Sequence, residues 1–176
     1  MITTEQFDAL KTKQAVKISL KGCMANLTGA TLYVGRRSKS KKYRYESLTL
    51  NREPGKAAPA HLRNLVTITL YKRVHPDGES ITVAIGDMGA SVTSFEVIPD
   101  EDLTINQRLK IAGCKLDSHE SDLYVEKTPK AIKAIKGHPM SVSFAEFRCE
   151  KTGNIWLDLP AANDCYWAKK VKGGNR

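Results

Sequence analysis

Apolar and polar residues alternate with a period of two along much of the first hundred positions. Val16, Ile18 and Leu20 are interleaved with Lys17, Ser19 and Lys21, which predicts a half-buried strand ending at Gly22. Residues 30–34 and 46–50 read as two further strands with a polar, basic connection between them. Residues 51–59, with Pro54-Gly55 and Pro59, are loop. Residues 65–71 are dense in β-branched side chains and predict a strong strand, followed by turn chemistry at His75-Pro76-Asp77-Gly78. Residues 80–85 and 90–98 complete the series across Gly86-Asp87-Met88-Gly89. Connections this short favour antiparallel pairing, so residues 14–98 predict a meander of about six strands. Ahead of it, Thr3 and Gln6 stand at capping-box spacing, with Ile2 and Phe7 placed as a hydrophobic staple. That predicts a helix reaching about Lys11.

Pro99-Asp100-Glu101-Asp102 interrupts the alternation. Residues 99–104 therefore read as a linker between a strand-rich domain over 1–98 and a smaller one over 105–176. In the second domain, residues 104–109 predict a short helix and 123–125 a strand. Thr128 caps a helix with Pro129 at its first position, Lys133 and Lys136 in its last turn and Gly137 beyond its end. Strands over 141–149 and 155–159 follow, joined by Lys151-Thr152-Gly153-Asn154, and the tail from 169 to 176 is basic. The fold class is α+β: mainly an antiparallel β meander with an N-terminal helix, then a small β-α-β-β unit.

Composition narrows the function classes. The chain has 176 residues, 41% hydrophobic, with no apolar run long enough to span a membrane. Its first residues lack the basic and apolar regions of a secretory signal, so the expected location is the cytosol. Cys23, Cys114, Cys149 and Cys165 are scattered without a CxxC pair. Neither a zinc site nor a disulfide framework is expected, and no cofactor is implied. The net charge of +9 is unevenly spread: residues 1–75 carry fifteen Lys and Arg against four acids, and the remainder thirteen against fifteen. Such asymmetry makes a local positive field that attracts phosphate.

The run Arg36-Arg37-Ser38-Lys39-Ser40-Lys41-Lys42-Tyr43-Arg44 concentrates that field, with Tyr33, Tyr43 and Tyr45 around it. Arginine forks onto phosphate oxygens, lysine supplies point charges, and tyrosine rings stack on unpaired bases. Arg36, Arg37, Lys39, Lys41, Lys42, Tyr43 and Arg44 are the candidate nucleic-acid contacts, and a solvated hairpin loop is the plainer alternative. Trp156, Tyr166 and Trp167 form a second cluster, either a partner-binding surface or the closure of a small core.

Acidic chemistry lies elsewhere. Asp117, His119 and Asp122 share one polar segment read as loop, and Asp158 stands further on. Together these four would suit a divalent-metal nuclease site, although nothing in their spacing requires one. No nucleophile is spaced for a triad, and the glycine pair at Gly86 and Gly89 is too short for a phosphate-cradling loop.

Glu120-Ser121-Asp122-Leu123-Tyr124-Val125, Thr128-Pro129, Ile155-Trp156-Leu157-Asp158-Leu159-Pro160 and Asp164-Cys165-Tyr166-Trp167 resemble a pattern in small uncharacterised proteins of bacteriophages and mobile elements. The resemblance covers about the last third of the chain. It implies a capped helix over a hairpin and a phage setting, and it transfers no catalytic residue. The expected function is a non-enzymatic accessory protein that contacts DNA or RNA. The alternative is an inhibitor or adaptor on a host nucleoprotein complex of defence or replication, a CRISPR effector for example. Edge strands of the meander offer a route to a homodimer.

Overall fold

Helix α1 (Thr4–Ala9) opens the chain with the reciprocal cap its sequence encodes: Gln6 N donates to Thr3 Oγ1, and Thr3 N donates to Gln6 Oε1. The structure, a computed structural model, describes residues 2–22, 27–55, 68–86, 88–119, 122–138, 142, 144–150 and 152–159. The chain divides into two compact units, Met1–Ile98 and Pro99–Arg176.

In the first unit six strands follow α1: β1 (Ala15–Gly22), β2 (Leu27–Ser40), β3 (Tyr45–Asn51), β4 (Ile68–His75), β5 (Gly78–Ile85) and β6 (Met88–Val97). Each pairs antiparallel with the next, and β1 also pairs with β6, Val16 opposite Val97, so the meander closes into a barrel. Closure was not part of the sequence reading. Closure gives each of the six strands a neighbour on both sides, although β5 and β6 meet only over Val83–Ile85. One face of every strand fills the interior, among them Val16, Ile18, Leu20, Val34, Leu48, Leu50, Ile68 and Leu70. Ile2, Phe7 and Leu10 join this core, and Phe7 is fully buried. Burying its ring contributes about 1.5–3 kcal/mol.

The basic run differs from expectation. It is mostly strand rather than loop: β2 continues through Ser40, and only residues 41–44 form the turn to β3. The register between β2 and β3 slips once, from Val34 opposite Leu50 to Arg37 opposite Leu48. This bulge at Gly35 and Arg36 inverts the alternation, because an extra residue turns each later side chain to the other face. Arg36 N donates to Thr49 Oγ1 at 3.0 Å across it.

In the second unit a 3-10 turn (Asp100–Asp102) leads into α2 (Ile105–Ile111), again with a capping box, Thr104 with Gln107. Strands β7 (Leu116–His119) and β8 (Asp122–Glu126), helix α3 (Pro129–Lys136), and strands β9 (Ala145–Arg148) and β10 (Ile155–Leu159) follow. The expected β-α-β-β unit is thus preceded by a helix and gains a strand. Residues 116–119, read as part of a polar loop, pair with β8 because Leu116 supplies an apolar anchor opposite Val125. The sheet order is β7-β8-β10-β9. One face packs Leu123, Val125, Leu157 and Leu159 against Ile105, Leu109, Ala131 and Ile135 of the two helices. Thr128 caps α3 as its sequence suggests, and Arg108 of α2 reaches the Gly137 carbonyl at its end. Residues 56–59 of the expected loop, 65–67 of the expected fourth strand, 139–141 and 143, Lys151, Asp87 and the tail lie outside the described residues.

Gly35 stands where the bulge brings two strands close. A Cβ there would meet the side chains of Asn51 and Thr49, and Asn51 is buried. Gly35→Ala is expected to lower stability by about 1–3 kcal/mol in urea unfolding, without changing the α+β circular-dichroism signature.

Candidate nucleic-acid interface

The bulge decides which of two adjacent arginines faces solvent. Arg36 is exposed, whereas Arg37 shares the face of Leu48 and turns toward the end of the barrel where α1 lies. There its Nη2 donates to the Phe7 and Leu10 carbonyls at 2.8 and 3.1 Å, its Nη1 donates to Glu46 at 2.6 Å, and its guanidinium stands over the Phe7 ring. Arg37 is therefore committed to holding α1 on the barrel. Lys39 follows it on the same face and reaches the other Glu46 oxygen at 3.0 Å with its side chain largely in solvent. Burial works to raise the Glu46 carboxyl, but the hydrogen bonds and charges of Arg37 and Lys39 outweigh it and hold the group below the ordinary carboxylate range. A parallel knot ties α1 from the other side. Lys72 donates to Asp8 at 2.7 Å and pairs with Glu79 at 2.8 Å, and its ammonium is pushed up by those two hydrogen bonds.

The outward set is smaller than the sequence run. Arg36, Lys41, Lys42 and Arg44 are exposed and have no carboxylate partner among the described residues. Arg44 sits at φ 49°, so the turn holds a non-glycine residue in the left-handed region. Tyr43 at the turn is 65% exposed. Its ring lies 6.4 Å from that of Tyr45, nearly parallel, with the Lys42 ammonium 5.1 Å from its centroid. Tyr45 meets Tyr71 edge to face at 5.5 Å, and Arg73 stands opposite Tyr45 on β4. The three tyrosines form a diagonal ladder on the outer face, as cross-strand neighbours allow. Beneath the turn, Lys39, Lys41, Arg44 and Lys72 surround a hollow of about 610 Å³ that also contains Glu46 and Glu79. Arg73 counts in the sequence only toward the N-terminal charge excess and Tyr71 only as strand, because both lie about thirty positions from the basic run; strand pairing unites them with it.

The acidic candidates are gathered more closely than their spacing suggests. Asp117 on β7 and Asp158 on β10 stand opposite Tyr124 from its two sides, in one row of the sheet, and His119 stands opposite Asp122 by register. The side chains of His119 and Asp122 lie outside the described residues. Asp117 is exposed; Asp158 is half-buried, and its Oδ1 has no hydrogen-bond partner among the described residues. Among the described residues no three potential ligands converge on one point. Two strand spacings separate Asp117 from Asp158, about 9–10 Å of backbone, with Tyr124 between them.

Trp156 is on the same sheet face, half-buried, with Lys115 above its ring at 5.4 Å and Phe147 opposite it on β9. Its Nε1 is buried without a partner among the described residues. Tyr166, Trp167, Cys23 and Cys165 lie outside the described residues. Cys114 is half-buried, and burial pushes its thiol up while Lys130 pulls the other way. Among the described residues no helix is long and apolar enough to cross a membrane. No protein-family model, no curated protein and no solved structure matches the chain.

Because Glu46 is held low in the folded state, its contribution is complete above the unfolded carboxylate range and is lost as pH falls through its folded value. Thermal unfolding across an acid series should show that loss in the native chain, and a flatter acid limb with lower neutral stability in Glu46→Gln. Arg37→Ala should cost about 1–3 kcal/mol at neutral pH, and Arg37→Lys should recover little of it, since an ammonium lacks the fork that spans two carbonyls and a carboxylate.

Proposed function

We propose that the first unit is a nucleic-acid-binding module whose contact surface is the β2–β3 hairpin and the tyrosine ladder beside it. The carrying observation is Tyr43: an exposed ring at a four-residue turn, backed by Tyr45 and Tyr71, and flanked by Arg36, Lys41, Lys42 and Arg44, which have no carboxylate partner among the described residues. Exposed aromatic area next to unneutralised positive charge matches what a strand of unpaired bases offers, a π-face and a phosphate at every step. The hollow beneath the turn, with four cations to two carboxylates, has room and sign for a phosphate group. The contacts engage backbone and ring faces, so binding is largely indifferent to sequence. An accessory role in a phage setting, without catalysis of its own, is the context that the resemblance in the last third of the chain suggests.

Fluorescence anisotropy with labelled single strands and duplexes at graded salt tests this. The variant Arg36→Ala/Lys41→Ala/Lys42→Ala, with Arg37 left in place to keep α1 attached, should bind at least tenfold more weakly. It should also flatten the dependence of log K on log salt by about two for single strands. Tyr43→Ala should weaken single-strand binding by about 1–3 kcal/mol and leave that slope unchanged. Native-like affinity in both variants, or no binding by the native chain at low salt, refutes the proposal.

A further inference from the structure

We infer that the groove along α3 in the second unit receives an acidic peptide segment bearing bulky apolar side chains. The groove is shallow and open to solvent, with a volume of about 910 Å³. One wall is the ridge Pro129, Ile132, Lys133 and Lys136, at the spacing that puts four residues on one side of a helix. Ala131 and Ile135 on the other side of α3 are buried in the core and Ile132 packs partly against it, while Lys133 and Lys136 are exposed. The facing wall includes Ile155 at the start of β10, which is 37% exposed. The ridge extends over about two helical turns, roughly 10 Å, the length of about three residues of extended chain.

Charge specifies the occupant. Lys133 and Lys136 are exposed and have no carboxylate partner among the described residues. Lys127 is held by Glu146 at 2.6 and 2.7 Å. The one carboxylate in the lining, Glu126, already accepts from Asn154 Nδ2 at 2.6 Å. The groove thus combines the apolar side chains of Pro129, Ile132 and Ile155 with lysines, two of which have no carboxylate partner among the described residues. Residues 160–176 carry Asp164 against Lys169, Lys170, Lys172 and Arg176, the wrong sign for this rim, and a second copy brings a further net charge of +9. A polynucleotide would find lysines there but no exposed ring among the lining residues on which to stack its bases. An acidic amphipathic peptide satisfies both features, with its apolar side chains against Ile132 and Ile155 and its carboxylates on Lys133 and Lys136.

This inference is independent of the hairpin proposal, and one experiment separates them. The full chain is titrated by fluorescence anisotropy with a labelled synthetic peptide alternating Asp or Glu with Leu and Phe. Two control peptides replace the acids with Lys or the apolar residues with Ser, and phosphatidylglycerol vesicles and a single-stranded oligonucleotide serve as competitors. The acidic apolar peptide should bind, both controls should fail, and the oligonucleotide should not displace it. Lys133→Gln/Lys136→Gln should weaken binding about tenfold with an unchanged melting temperature, and Lys133→Glu/Lys136→Glu should shift preference to the lysine peptide. A purely structural effect of these substitutions would not invert the preference. Binding of the lysine peptide by the native chain, unaltered affinity in the glutamine variant, displacement by the oligonucleotide, or binding to vesicles alone overturns the inference.

Discussion

The guanidinium of Arg37 is where the first unit is joined. It collects two carbonyls from the end of α1, a carboxylate from β3 and the face of the Phe7 ring. Few single side chains serve so many neighbours, and an ammonium in its place could not, since only a planar fork donates in several fixed directions at once. The constraint behind it is the bulge at Gly35. Regular pairing onward from Val34 and Leu50 would set Arg36 opposite Leu48, facing inward, and turn Arg37 outward. The division of the basic run into a cation that secures the fold and cations left to solvent follows from that one local irregularity.

Local signals with a short physical range were readable in advance. The capping box at Thr3 and Gln6, the Thr128-Pro129 start of α3 and the two-residue turn between His75 and Gly78 depend on neighbours three or four positions apart. Barrel closure was not readable, because pairing Val16 with Val97 leaves no trace in either segment's own alternation. Strand β7 escaped because Asp117 and Ser118 made residues 116–119 look like polar turn, while the anchor that holds the strand is a single leucine. At the candidate interface, the cluster of cations was legible as composition. Their directions were not, because a bulge is invisible to a period-of-two reading, and neither were Tyr71 and Arg73, brought alongside by register alone.

The two units present different chemistry. The first offers aromatic rings and free cations on a rigid antiparallel wall, suited to a polymer of alternating bases and phosphates. The second offers Ile132 and two exposed lysines of α3 facing Ile155 of β10, the features on which the inferred acidic-peptide groove rests.

Closure of the barrel through β1 and β6 also sets the order in which the first unit can be made. The β4–β5 hairpin, with its two-residue turn, forms from residues close in sequence and carries a small loop-closure cost. The β1–β6 seam joins the two ends of the unit and carries the largest. A chain emerging from the ribosome holds β1 and β2 ready long before β6 exists, with the apolar row of Val16, Ile18 and Leu20 incompletely covered until Val97 arrives. Loop-closure entropy therefore disfavours the seam until the other pairings are in place, which leaves β1 the strand exposed longest during synthesis.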